Sequence, residues 1–171
     1  MPATLYLTSC YYTKDTPVFG LAVAYIFWKS SRESVDLSGM GIPEFEDVSE
    51  IYFSPDQRQT IGQTIVTYGD TLLDEPGRVA LSHRLADRLG IDYERIVESR
   101  ILSLISKEEL AALHDPGIRM GMHTHRHRFS LDSKTARAEI EDNRASVEPV
   151  TGQRAISAIR PATGLPIIGR S

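Results

Sequence analysis

Ser106-Lys-Glu-Glu-Leu-Ala-Ala-Leu-His-Asp-Pro-Gly-Ile-Arg-Met-Gly-Met-His-Thr-His-Arg-His127 holds, in order, a helix start, a helix stop, a buried strand and a histidine cluster. Ser106 and Glu109 have capping-box spacing, so a short helix should run through Leu110 and Leu113. Asp115-Pro116-Gly117 stops it, because the residue before proline avoids helical angles and glycine turns the chain readily. Ile118 to His123 then reads as a short buried strand. A strand that follows a helix and feeds a functional loop is the pattern of an α/β architecture with parallel strands.

Outward from that stretch the same alternation continues. Ala3 to Ser9 alternates apolar Leu5 and Leu7 with small or polar residues and reads as a strand. Ser133 to Val150 reads as a long helix with Ala136, Ile140 and Val147 on its inner side, ended by Gly152, and Phe129 to Asp132 as the turn before it. Ala155 to Ile159 reads as a further strand. These three strands are expected as parallel neighbours, with the histidines at their C-terminal ends.

Between the first strand and Ser106 the pattern is helical. Val18 to Lys29 is apolar nearly all round, with Tyr25, Phe27 and Trp28 expected in a core. Ser30 to Asp56 reads as irregular. Ile61, Ile65, Tyr68 and Leu72 mark one helix face, and Leu81, Leu85 and Leu89 mark another, capped by Gly90. Asp92 should cap a helix whose inner face is Tyr93, Val97, the Arg100 stem, Ile101 and Leu104.

Composition narrows the function. The chain has 171 residues, one cysteine and a net charge of −4. That balance argues against holding a nucleic-acid backbone by bulk charge, and Cys10 alone cannot build a disulfide framework. Val18 to Trp28, the longest nearly apolar run, is too short to span a membrane. No export signal is visible, so as written the chain reads as cytoplasmic.

His123, His125 and His127 sit directly after the predicted strand. Imidazole is the commonest protein ligand for zinc and similar metals, so a divalent-metal site is the reading of the cluster. The bland alternative is a solvated loop rich in His and Arg. His83 and His114 lie on helix patterns and read as surface or boundary residues. A metallo-β-lactamase-type site would need His-x-His-x-Asp-His, which is absent, and an amidohydrolase-type His-x-His belongs on a first strand.

His123-Thr124-His125-Arg126-His127 resembles the His-(Ser/Thr)-x-x-His motif of polysaccharide deacetylases, the NodB-homology carbohydrate esterases. Residues 106–152 and the strand Pro2-Ala3-Thr4-Leu5-Tyr6-Leu7 are similar to the family's segments around it, with residues 11–105 as a helical insertion. The resemblance implies a distorted (β/α) barrel, here partial. It also implies hydrolysis of N- or O-acetyl groups from an acetylated polysaccharide or oligosaccharide by a divalent metal, zinc above all. His123 and His127 would be the imidazole ligands, and Thr124 would hold the loop by hydrogen bonding.

The family's Asp-Asp motif, which supplies the third ligand and the general base, should precede the Pro-Ala-Thr strand, where only Met1 stands. Asp15 and Asp36 have the wrong context. The expectation is therefore an incomplete domain that binds metal weakly and is inactive alone. Arg126 and Arg128 add a basic neighbourhood that disfavours a dication. Arg160-Pro161-Ala162-Thr163-Gly164 resembles the family's Arg-Pro-x-x-Gly, which would make Arg160 the residue orienting the catalytic aspartate. A one-base shift across Ala155 to Gly164 can instead spell His-Phe-Cys-Tyr-Pro-Ser-Gly, similar to a Tyr-Pro-x-Gly form of that motif. On that reading the side chains from Ile156 onward were never selected to pack, and Ala155 to Ser171 should be exposed. Two other classes stay open: a non-catalytic metal-binding or interaction module, and another metal-dependent hydrolase.

Overall fold

The computed structural model describes residues 2–12, 16–113, 117–126 and 132–155. The chain divides into two compact units, one formed by Met1–Asp15 with Ile105–Ser171 and one by Thr16–Leu104.

The first unit carries the histidine segment. Strand β1 (Ala3–Leu7) pairs in parallel with a later strand, Ile118–Met122, in the register Ala3 to Ile118 through Leu7 to Met122. Met120 and Met122 are buried, as is Leu7. A one-turn helix, α1 (Ser9–Tyr12), follows β1. The helix Lys107–Ala112 starts at the expected capping box: Ser106 Oγ accepts from the Glu109 N–H at 3.1 Å, and the Glu109 carboxylate accepts from the Ser106 N–H at 2.7 Å. The long helix Ser133–Thr151 is capped by the Asp132 carboxylate and ended by Gly152 at φ +64°. Leu7, Leu110, Met120 and Val147 form this unit's core.

The second unit is helical. Helix α2 (Phe19–Lys29) buries Ala22, Val23, Ile26 and Phe27, and it packs on α3 (Pro55–Leu72) and α4 (Glu75–Leu89). Each of Ile26, Ile65, Leu81 and Leu85 is fully buried, worth about 1.5–3 kcal/mol apiece relative to exposure. The α2–α3 contact depends on Gly69, where an added Cβ would collide with the Phe19 ring. The Arg58 guanidinium donates to the carbonyls of Phe27 and Ser30 at 2.7 and 3.2 Å, satisfying groups that the end of α2 leaves open. Gly90 takes the left-handed conformation expected of it, at φ +70°. Helix α5 (Tyr93–Ser99) follows, capped by Asp92. In chain order the two remaining helices, Lys107–Ala112 and Ser133–Thr151, are α6 and α7.

Several expectations are corrected. Residues 30–56 are not wholly irregular: β2 (Ser34–Val35) and β3 (Ile51–Tyr52) pair antiparallel, and with Ile51–Tyr52 taking that label the strand Ile118–Met122 is β4. Trp28 is 71% exposed rather than in the core, because α2 turns its Leu21, Ala24 and Trp28 edge outward, while Tyr25 packs half-buried against the core. Helix α5 stops early, since Arg100 adopts φ +54°, and Ile101 and Leu104 are exposed beyond it. Leu72 is exposed at the end of α3. The buried residues of α7 are Glu139, Asn143 and Val147, so two polar residues face inward where Ala136 and Ile140 were expected. Ala155 is buried, with its N–H donating to the Glu148 carboxylate at 3.1 Å, although the shifted-frame reading expected it exposed. It is not in a strand, and the rest of the expected strand Ala155–Ile159 lies outside the described residues, as do residues 129–131 of the expected turn.

Candidate functional site

His123 directly follows β4, at the C-terminal end of the parallel pair. Its N–H continues the ladder by donating to the Leu7 carbonyl at 2.9 Å, and its carbonyl accepts from Thr8 Oγ1 at 3.2 Å. The ring is half-buried. Loops at this end of parallel strands are where α/β folds gather functional groups.

Thr124 then breaks the strand. Its φ is +63° and it is 2% exposed. A β-branched residue in the left-handed region is strained by about 1–3 kcal/mol and persists only where its surroundings over-determine it. They do so here. The Thr124 carbonyl accepts from Asn143 Nδ2 at 2.6 Å, and the same nitrogen donates to the Leu7 carbonyl at 2.8 Å. The Thr124 hydroxyl, expected to hold the loop, is buried with no hydrogen-bond partner among the described residues. Asn143 performs that holding instead, through the Thr124 main chain.

His125 is secured from two sides. Its N–H donates to the Glu139 carbonyl at 3.1 Å, and its own carbonyl accepts from the Cys10 N–H at 2.9 Å. The hydroxyl of Ser9, itself fully buried, lies 2.9 Å from the ring Nδ1. An imidazole is oriented by the bond that one of its nitrogens makes, so Ser9 sets the direction of the His125 ring.

Arg126 closes the loop on α7. Its N–H and its guanidinium each donate to the Glu139 carboxylate at 2.7 Å, and the guanidinium also reaches Asp142 at 3.1 Å. These carboxylates, Glu139 first, push the Arg126 pKa further up, against a smaller opposing effect of burial. The Arg126 charge, half of the expected basic neighbourhood, is matched by these two carboxylates.

His127 and Arg160 lie outside the described residues, as do Arg128 and His114. His83 is partly exposed, with its ring centroid 4.3 Å from that of Tyr93 and its Nδ1 3.8 Å from Glu94. Among the described residues no group of three His, Cys, Asp or Glu side chains is placed to hold a metal ion. The described part of the loop carries two imidazoles, His123 and His125, a side-chain type that suits zinc. Two cavities of about 350 and 490 Å³ lie in the helical unit, and neither lining contains a histidine.

Sequence reading missed Ser9, Glu139 and Asn143. A signal existed for the α7 pair. Glu139, Asn143 and Val147 are spaced four apart, one helix face, and the loop they would meet is crowded with polar groups.

No helix of the described residues is long and apolar enough to cross a membrane. Comparison of the chain with protein-family models, with curated proteins and with solved structures finds no match.

Proposed function

We propose that this chain carries the imidazole half of a metal-dependent hydrolase that removes N- or O-acetyl groups from an acetylated polysaccharide or oligosaccharide. The observation that supports the reading is the His123–Arg126 loop. It leaves the end of a buried parallel strand, passes through a strained Thr124, and is fastened to β1, α1 and α7 by side chains as well as main chain. Strain of this kind collects where a loop must present side chains in one geometry.

On this reading His123 and His127 hold a divalent ion, zinc by preference, and Asn143 fixes the turn after His123 through the Thr124 carbonyl. The ion would supply Lewis-acid polarisation of the acetyl carbonyl. The chain's own contribution is positional. The ladder bond to Leu7 fixes the main chain at His123, and Ser9 engages the His125 ring. The carboxylate ligand and the general base are left unassigned, because neither Asp15 nor Asp36 has the required context.

Calorimetric titration with zinc tests the reading. The chain should bind zinc weakly, since a catalytic zinc site uses about three protein ligands, and a His123→Ala, His127→Ala variant should lose that binding. Unchanged zinc binding by the variant would place the site elsewhere.

A further inference from the structure

We infer that Asn143, on the buried face of α7, is a positioning residue for the histidine loop. It is fully buried. Its two neighbours, the carbonyls of Leu7 and Thr124, are both acceptors. The amide must therefore present its nitrogen to them, and no side chain without an N–H or O–H can replace it. One nitrogen thus joins the last residue of β1 to the strained residue between His123 and His125.

The geometry makes this more than general packing. The Leu7 carbonyl already accepts the His123 N–H, so Asn143 acts on the same oxygen that fixes the main chain of His123. The Thr124 carbonyl that Asn143 holds belongs to the residue whose φ is positive. With that bond removed, a buried carbonyl would be left unpaired, and the left-handed geometry would lose a restraint that opposes its strain. One helical turn earlier, Glu139 takes the N–H groups of His125 and Arg126. Asn143 and Glu139 therefore set, from one helix face, the main chain on both sides of the histidine at position 125. The Asn143 Oδ1 is buried and unpartnered among the described residues, so the amide's measurable role rests on its nitrogen.

The test uses the full chain with Asn143→Ala, and with Asn143→Ser, which keeps one donor and guards against a variant that does not fold. Amide hydrogen exchange is read at His123 and His125, with Met120 in the middle of β4 as the internal reference. Zinc affinity is read by titration under conditions where each variant stays folded. In Asn143→Ala, exchange at His123 and His125 should rise at least about tenfold more than at Met120, and zinc should bind about 10–100-fold more weakly, the usual cost of losing a residue that orients a ligand. Asn143→Ser should fall between Asn143→Ala and the wild type in both. Acceleration that is equal at Met120, His123 and His125 would show a purely structural residue and overturn the inference, as would unchanged exchange at the two histidines. The zinc arm rests on the metal-centre reading. If the wild-type chain binds no zinc, that reading fails, and the exchange arm still decides the role of Asn143.

Discussion

Glu139 is 5% exposed, and its carboxylate takes the main-chain N–H and the guanidinium of Arg126 together. Removing it leaves a main-chain donor unpaired and Asp142 as the partner of the arginine, while the half-exposed Arg126 side chain can regain water. Glu139→Ala should therefore cost about 1–2 kcal/mol. Two positions on, Glu141 pairs with Arg137 at 3.8 Å on the exposed face, and Glu141→Ala should cost no more than about 0.5 kcal/mol. Urea unfolding followed by far-ultraviolet ellipticity measures both, and equal midpoints for the two variants would refute the assignment. These residues also show why the site was only partly legible. His123 stood out because imidazoles cluster rarely, and its strand was marked by apolar neighbours. Glu139 and Asn143 were hidden because helix faces are read by apolarity, and a face that binds a polar loop looks like a solvent face. The strain at Thr124 leaves no trace in its side-chain type.

At the scale of elements, local chemistry was the legible part. The capping box at Ser106, the Asp92 cap and the left-handed Gly90 each depend on a few adjacent residues, and each is found where its residues stand. What failed was extrapolation along a face: α5 was extended past Arg100, and the edge of α2 bearing Trp28 was placed inside. The parallel pairing of β1 with β4 agrees with the expected neighbours, while a third strand after Gly152 has no described counterpart. Helix α7, which carries both loop-binding residues, begins on Asp132. Its carboxylate accepts from the Thr135 hydroxyl at 2.7 Å and from the Thr135 N–H at 2.8 Å. These bonds, the hydroxyl first, hold its pKa below the ordinary carboxylate value. A carboxylate whose pKa is lowered on folding stabilises the fold above its unfolded value, and that contribution is lost as pH falls through the folded value. The acid limb of the stability profile, below about pH 4, should therefore flatten in Asp132→Asn, which keeps a cap that does not titrate. Urea midpoints taken across that range would show it, and an unchanged slope would remove Asp132 from the account.

At the scale of the whole molecule, the path of the chain matters most. The helical unit, Thr16–Leu104, is one continuous segment, whereas the unit with the histidine loop is built from two. The Val18 N–H donates to the Leu102 carbonyl at 2.9 Å. The chain therefore enters and leaves the helical unit at one place, the arrangement by which a segment can be inserted into another fold without pulling its strands apart. That unit has its own core, with Ile26, Ile65, Leu81 and Leu85 fully buried, and α3, α4 and α5 each carry a side-chain cap of their own. Its hydrogen-bond closure and its core both lie within the segment, so residues 16–104 expressed alone should fold with a cooperative thermal transition. The chain's single tryptophan, Trp28, reports on the same unit. Being 71% exposed, it should emit close to the solvent-exposed wavelength before and after melting, so ellipticity is the better probe. Leu85→Ala should lower the stability of the isolated segment by about 2–5 kcal/mol, because a fully buried leucine leaves a cavity. Trp28→Ala, at an exposed position, should change it by about 0.5 kcal/mol or less. A non-cooperative melt of residues 16–104, or an equal response to the two substitutions, would show that the helical segment takes its stability from the rest of the chain.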